Sequence, residues 1–273
     1  MKADAKKILL VTALFFFLCA PWQAQAGVAV TSGLTHEQKA LPGETYKGLL
    51  TLFNNGDSPQ EVKVYQKDYL FYADGSNIYG DPGKDPRSNA KWITYSPYQV
   101  VVPPKTSVNV YYSVAVPDDK SLAGTYWSLM MIENAPSSNV RAPKQEEGKV
   151  TLGITQVVRF AAQIRTQIED TGVRKLKFNT PQLKKDEKGS FLEIDLENIG
   201  ERYLKTLLSV ELYDNNGKSM GKFDGGGTGL YPATSARFKA RLGNIPKGKY
   251  KALVIADGGG DDMFGSTYAL EFE

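Results

Sequence analysis

The stretch from Val150 to Glu169 constrains the fold of this chain more than any other. Its apolar side chains recur at every second position, which predicts a β-strand, because successive side chains of a strand point to opposite faces. Twenty residues at about 3.3 Å each would extend roughly 65 Å, far beyond the usual strand of about 20 Å. We therefore expect its middle to pack in one core while one end projects or crosses into a second domain. The apolar face comprises Val150, Leu152, Ile154, Val158, Phe160, Ala162, Ile164 and Ile168.

The rest of the chain repeats short strand-like segments separated by turn sequences. Asn54-Asn55-Gly56 and Asn215-Asn216-Gly217 are typical turns, and no segment has convincing helical periodicity. About seven such segments lie on each side of Asp170–Gly172, a spacing typical of β-sandwiches. The sequence predicts an all-β chain of two immunoglobulin-like β-sandwich domains set at an angle. We place the N-terminal domain at residues 27–170 and the C-terminal domain at 171–273.

The first 26 residues have the features of a secretory signal peptide. A start with three lysines precedes an apolar run from Ile8 to Cys19, and Ala24-Gln25-Ala26 provides a cleavage site. The run is about a dozen residues long, short of the roughly 20 that a spanning helix needs. The alternative is a lipoprotein acylated at Cys19, but Leu18 is too large for the small residue that such processing requires. We expect cleavage after Ala26 and export to the periplasm.

The composition of the remaining chain argues against several classes of partner. Removing the signal peptide, which carries three lysines and one aspartate, leaves 247 residues without cysteine and lowers the net charge from +3 to +1. An exported protein without disulfides depends on a sizeable core. A nearly neutral chain lacks the basic surface typical of nucleic-acid or anionic-membrane binding. We expect no nucleic-acid partner and no membrane insertion after cleavage.

The groups that enzymes commonly use are missing from the sequence. The only histidine, His36, lies in a polar segment that predicts a solvated loop, and no Gly-x-Ser-x-Gly motif provides a nucleophile. Two glycine runs in the C-terminal half are not followed by a helix that could hold a phosphate. Asp257, Asp261 and Asp262 do not have the spacing of a calcium loop. We expect no enzymatic activity, no metal and no cofactor.

Several segments resemble periplasmic pilus-assembly chaperones. The sequence WITYSPYQVVVPPKTSVNVYYSVAVPDDKSLAGTYWSLMMIENAP, from Trp92 to Pro136, is similar to the first domain of that family, with its "sPp" phrase, proline turn, alternating strand and "yWmn" strand. Tyr46–Asn55 and Gln60–Phe71 resemble the preceding strand pair. Looser similarities in the second half are Asn198–Tyr203, Leu230-Tyr231-Pro232 and Ile255–Gly260. The same pattern occurs in other two-domain immunoglobulin-like envelope proteins.

The resemblance implies a mechanism of strand donation. Such chaperones lend alternating apolar residues of one strand to an incomplete subunit sandwich, and the matching residues here are Val150, Leu152 and Ile154. The family also anchors the subunit's C-terminal carboxylate between a basic residue of this strand, which Arg159 can match, and an arginine of the first strand. The first strand here, GVAVTSG, has no arginine, so either another residue such as Lys39 replaces it or the protein does not bind a subunit in this way.

Two functions therefore remain open at the level of sequence. The first is a periplasmic chaperone-like protein of pilus or fimbrial assembly, which implies a subunit-like protein client and a possible outer-membrane usher as partners. The second is a structural or adhesive envelope module that binds a surface protein or a glycan. The client, the oligomeric state and the replacement for the missing arginine are not determined by the sequence.

Overall fold

The computed structural model describes residues 27–135, 157–260 and 262–272, and these residues form eighteen β-strands and one short 3-10 helix, at Ala90–Trp92. The first ten strands are β1 (Val28–Val30), β2 (Thr35–Ala40), β3 (Thr45–Asn54), β4 (Gln60–Phe71), β5 (Asn77–Gly80), β6 (Ile93–Ser96), β7 (Gln99–Val102), β8 (Ser107–Ala115), β9 (Gly124–Asn134) and β10 (Arg159–Ile168). The remaining eight are β11 (Leu176–Phe178), β12 (Gln182–Asp186), β13 (Gly189–Asn198), β14 (Leu204–Asp214), β15 (Ser219–Leu230), β16 (Ser235–Gly243), β17 (Gly248–Gly259) and β18 (Asp262–Phe272).

The strands up to β10 form a two-sheet sandwich. One sheet has the order β1-β3-β8-β6, and the other has the order β2-β10-β9-β4-β5, with β7 also paired to β4. The N-terminal segment changes sheets, because β1 pairs antiparallel with β3 whereas β2 pairs parallel with β10. This order, with the first strand divided between both sheets, is an immunoglobulin-like arrangement.

The core of this sandwich follows from the alternation seen in the sequence. Ala162 and Ile164 of β10 are fully buried, and Phe160 packs partly buried against the same cluster. They meet Met130 and Ile132 of the neighbouring β9. Residues of the opposite sheet complete the cluster, among them Leu50, Leu52, Val110, Tyr112 and Val114.

The strands from β11 onward form a second sandwich. In one sheet β13 pairs with β11, β12 and β16, and the other sheet has the order β15-β14-β17-β18. Its buried cluster draws only on residues between Leu176 and Phe272. The predicted fold class is therefore confirmed: the described chain is all-β and contains two immunoglobulin-like β-sandwiches.

The two sandwiches touch through backbone as well as side chains. The amide of Thr125 donates to the carbonyl of Glu201 at 2.8 Å, and the amide of Tyr203 donates to Oγ1 of Thr125 at 2.8 Å. Gly124 has a φ of +77°, and a Cβ on it would lie 2.1 Å from the Glu201 carbonyl oxygen. Only glycine permits so close an approach in that backbone conformation.

Some local expectations from the sequence are wrong. His36 lies in β2 rather than in a loop, and its Nδ1 is 3.1 Å from the hydroxyl of Tyr112. The segment 75–89, whose glycine, proline, aspartate and serine residues predict a long surface loop, contains β5 and the buried Asn89. The glycines 225–227, one of the two glycine runs, are expected from the sequence to form a flexible loop, but they continue β15. None of the helices in the described residues is long and apolar enough to span a membrane.

Candidate partner-binding site

The strand β10 is covered on one side along its whole length and on the other side only in part. The neighbouring β9 pairs with every residue from Arg159 to Ile168. The parallel β2 pairs only with Gln163–Ile168, beginning at Thr35. Within the described part of the chain, residues 159–162 therefore have a strand neighbour on one side alone. This four-residue segment is called the open edge below.

The backbone groups of the open edge that lack a strand partner can be assigned from the ladder. The amide of Asn134 donates to the carbonyl of Val158 at 3.2 Å, so the even-numbered residues of this strand direct their backbone groups toward β9. The amide of Gln163 donates to the carbonyl of Leu34 at 2.8 Å on the opposite side. The backbone N–H and C=O groups of Arg159 and Ala161 consequently point away from β9, in the plane of the sheet, where another strand could pair with them.

The three residues that the resemblance implies are donated to a client, called the donated row, precede the open edge in the sequence. Val150, Leu152 and Ile154 lie outside the described residues, so their role stays a prediction. The resemblance implies that Val158, Phe160 and Ala162 pack in the chain's own sandwich. Ala162 is fully buried and Phe160 packs partly buried against the same cluster, whereas Val158 is half-buried outside that cluster. The alternation thus continues from the home core toward the donated row without a change of parity.

Arg159 lies at the start of the open edge on the outer face of the sheet. Its Nε is 2.6 Å from Oε2 of Glu133, and the hydroxyl of Tyr65 donates to the same carboxylate oxygen at 2.9 Å. These two hydrogen bonds, that of Arg159 first, hold the pKa of Glu133 below its usual value. The Arg159 side chain nevertheless keeps 55% of its surface exposed. It can therefore meet a partner while bound to Glu133.

Lys39 does not take the place of the missing first-strand arginine. It pairs in register with Gln167, eight residues beyond Arg159, so the two positions are about 26 Å apart along the strand. Its ammonium group lies 2.9 Å from Oδ1 of Asp170, on an exposed surface. The structure thus does not bring Lys39 and Arg159 together.

A buried arginine that the sequence did not single out lies deeper along the strand. Arg165 pairs with Glu37 of β2, and its side chain is only 7% exposed. Its guanidinium carbon lies 3.6 Å from the ring centroid of Tyr203, which belongs to the second half of the chain. Its Nε and Nη1 have no hydrogen-bond partner among the described residues. Period-two alternation places Arg165 on the outer face but gives no sign that another sandwich covers it.

A cleft lies between the outer face of this sheet and the second sandwich. Its cavity measures about 490 Å³, and aromatic rings from both halves line it together with Gln163. The hydroxyl of Tyr231 donates to Oε1 of Gln163 at 2.6 Å, which fixes one wall. The aromatic lining consists of Tyr69, Phe71, Tyr72, Tyr203 and Tyr231.

Of the three aspartates considered for calcium, the structure describes Asp257 and Asp262. Asp262 is bound by Arg174, with its Oδ2 2.8 Å from Nε, and Asp261 lies outside the described residues. Across residues 27–135, 157–260 and 262–272, no group of three or more histidine, cysteine, aspartate or glutamate side chains could hold a metal ion.

Within the described residues, the fold and the open edge define a two-sandwich β-protein in which β10 is partly uncovered. No family model and no curated protein matches the chain. Among solved structures, the class 5 fimbriae chaperone CfaA is similar at 14% identity with a TM-score of 0.47, over 89% of this chain and 98% of that one. The CupB2 chaperone of Pseudomonas aeruginosa is similar at 13% identity with a TM-score of 0.41, over 90% and 100% of the two chains.

A chain of the Salmonella enterica complex between the SafA pilin and the SafB chaperone is similar at 15% identity with a TM-score of 0.42, over 89% of this chain and 96% of that one. Several other matched structures are also described as chaperones.

Proposed function

We propose that this protein is a periplasmic chaperone-like protein of pilus or fimbrial assembly that binds its client by β-strand pairing along β10. The observation that carries the proposal is the open edge, because β2 stops pairing at Gln163 and leaves the backbone of Arg159 and Ala161 unpaired by any described strand. An exposed strand edge is a template for another chain.

The client strand adds to the sheet beside the open edge and continues along the preceding residues. Its backbone pairs with the outward N–H and C=O groups of Arg159 and Ala161. The side chains of Val150, Leu152 and Ile154 fill pockets in the client, each contributing roughly 1.5–3 kcal/mol when fully buried. Phe160 and Ala162 stay in the home core, which holds the edge rigid while the client binds.

Arg159 contacts the client at the point where the open edge begins. Its guanidinium keeps its hydrogen bond to Glu133, which fixes its direction, and its exposed surface faces the incoming strand. Arginine has five N–H donors, so one donor can bind Glu133 while others remain for a client carboxylate or carbonyl. Export through the signal peptide brings the protein to the periplasm, and an outer-membrane usher receives the loaded client.

A photo-crosslinking amino acid tests the donated row in the protein's own host. We expect a probe at Leu152 to form an adduct with one client, identifiable by mass spectrometry. A probe at Thr151 is the matched control, since the opposite parity faces away from the client pocket. Equal adducts at the two positions, or none at Leu152, would refute strand donation.

The alternative is an adhesive envelope module, and the aromatic-lined cleft favours it. Tyrosine rings beside the amide of Gln163 form a surface suited to a glycan or a peptide. This alternative expects no adduct from Leu152, whereas Tyr203→Ala would reduce binding to the cell surface. Strand donation expects the opposite pair of results.

A further inference from the structure

The strand β18 forms the longest regular uncovered edge of the second sandwich. It closes the sheet β15-β14-β17-β18, and among the described residues only β17 pairs with it. The pairing runs without a register shift from Gly248 opposite Phe272 to Asp257 opposite Met263. Along its free side, alternate residues of β18 present backbone N–H and C=O groups to which no described strand is bonded.

Apart from the open edge of β10, the other sheet edges among the described residues carry the usual protection against pairing, whereas β18 does not. Edges are commonly kept from pairing by short length, charged side chains, proline or bulges. The strands β1, β5, β6 and β7 have only three or four residues. Longer edges carry Lys39 in β2, Lys184 and Lys185 in β12, Arg237, Lys239 and Arg241 in β16, and two register shifts in β15. From Met263 to Leu270, β18 contains no charge, proline or bulge.

The exposed face of β18 next to this edge carries mainly small, uncharged side chains. Met263, Gly265, Thr267 and Ala269 are exposed, whereas Leu270 and Phe272 are buried in the core. None of the described residues requires a glycine at 265, because an added Cβ would lie 3.7 Å from the nearest described atom, the carbonyl oxygen of Val254. Glycine inside a strand often marks the close approach of another chain.

We propose that β18 pairs antiparallel with β18 of a second copy of this chain, which joins two four-stranded sheets into one sheet of eight strands. In a two-fold antiparallel pair, opposed residues must both have odd numbers or both have even numbers, because only alternate residues direct their backbone N–H and C=O groups to the free edge. The register that uses all eleven residues is then centred on Thr267, with Thr267 opposite its own counterpart. Threonine pairs are favourable across antiparallel strands.

The side chains fit this register without opposing charges of the same sign. Gly265 of one copy lies opposite Ala269 of the other, and Met263 lies opposite Glu271. Met263 is therefore diagonal to Ala269 of the other copy. The depression beside Ala269, of about 800 Å³, is also lined by Leu253 and Thr267 and has room for the 68% exposed side chain of Met263. Glu271 lies about 27 Å from its counterpart, well beyond the screening length of about 8–10 Å. The self-complementary edge therefore favours a second copy over an unrelated strand.

Introducing charges at the two-fold axis tests the proposal on the exported chain. Sedimentation equilibrium should show a monomer–dimer equilibrium for the wild type. Thr267→Lys places two lysines opposite each other and should weaken the dimer by at least about tenfold, as should Thr267→Glu. Mixing the two variants should restore the dimer. Thr228→Lys, the same change on the exposed opposite margin in β15, should leave the dimer intact.

Each alternative result overturns the proposal. A wild type that stays monomeric up to high concentration excludes the pairing. A dimer unaffected by Thr267→Lys, or variants that do not pair when mixed, place any association elsewhere. Should Thr267→Lys lose its fold by circular dichroism, hydrogen exchange of the wild type decides, since dimerisation must protect amides of β18 and not those of β15. Failure here leaves the client edge of β10 untouched, because the two edges belong to different sandwiches.

Discussion

Trp127 and Tyr231 stack on each other across the boundary between the two sandwiches, with ring centroids 4.6 Å apart and planes inclined by 27°. Trp127 belongs to β9, and Tyr231 directly follows β15, so residues distant in the sequence form this contact. Tyr231 is 2% exposed and its hydroxyl is bound to Gln163. The contact therefore buries an ionisable group where the two halves of the chain meet.

Stability is expected to fall at alkaline pH because of two buried tyrosines. Burial raises the pKa of Tyr231 and of Tyr46 to about 12, so both stay neutral in the folded protein while their unfolded forms ionise above about pH 10. Their contribution is complete below pH 10 and is lost between pH 10 and 12, at up to about 1.4 kcal/mol per pH unit for each group. Urea denaturation from pH 9 to 12 measures it. Tyr231→Phe and Tyr46→Phe should each flatten the profile, and an unchanged slope in both would contradict the expectation.

The close approach of the two sandwiches at Gly124 can be separated from simple backbone strain. Gly124→Ala and Gly75→Ala both place a side chain at positive φ, which costs about 1–2 kcal/mol. Only at Gly124 does the new Cβ meet the Glu201 carbonyl, whereas at Gly75 there is nothing within 4 Å. We expect Gly124→Ala to lose about 1–3 kcal/mol more in urea denaturation. Equal losses would mean that the two sandwiches separate easily at this point.

We predict that residues 173–273 fold alone. Within the described part of the chain, their buried cluster draws on no fully buried residue from the first half, and only the partly buried Phe71 packs against it from there. The isolated segment should melt cooperatively by circular dichroism. Leu196→Ala, at a fully buried position, should cost it about 2–5 kcal/mol, and Leu207→Ala, at a 53% exposed position, should cost little. A disordered product would contradict the domain boundary near Asp170–Gly172.

Replacing the donated row should separate binding from stability. We expect the triple change of Val150, Leu152 and Ile154 to serine or threonine to leave the melting temperature nearly unchanged. Loss of three buried apolar contacts, at roughly 1.5–3 kcal/mol each, should weaken client binding by several powers of ten. Capture of the client identified by crosslinking provides the measurement. A sharp fall in melting temperature would instead place these residues in the chain's own core, where such losses consume much of a stability of about 5–15 kcal/mol.

The mature protein is expected to begin at Gly27. Cleavage there converts the Gly27 amide, which donates to Oδ1 of Asn55 at 2.8 Å, into an ammonium group that can keep the same bond. Intact-mass measurement of the exported protein gives the N-terminus directly. A mass corresponding to a lipid-modified Cys19 would show that the protein is an anchored lipoprotein.

The sequence predicted those strands whose one face is buried and whose other face meets solvent. The alternation of β10 identified Phe160, Ala162 and Ile164 as core residues, because burial on one side imposes period two. The edge strand β2 escaped prediction, since THEQKA has no apolar face and its pairing with β10 depends on a strand more than a hundred residues away. Polar edge strands carry no local signal.

The candidate site was predictable only where it depends on local sequence. Arg159 could be placed on an outer face by parity, but its bond to Glu133 depends on the register between β9 and β10. The burial of Arg165 beneath Tyr203 requires the second sandwich to lie against the first, which no alternation encodes. Contacts between the two halves of the chain therefore could not be predicted from the sequence.

The end of β2 beside Gln163 also limits how many residues of β10 another strand can pair with. A foreign strand advancing along β10 meets the carbonyl of Leu34, already bonded to the amide of Gln163, and can advance no further. The number of residues that the chain can share with another protein is thus counted from Ala162 backward. Lengthening β2 by two residues would reduce that number by two. The length of strand available for pairing can therefore be changed without altering any residue that a foreign strand touches.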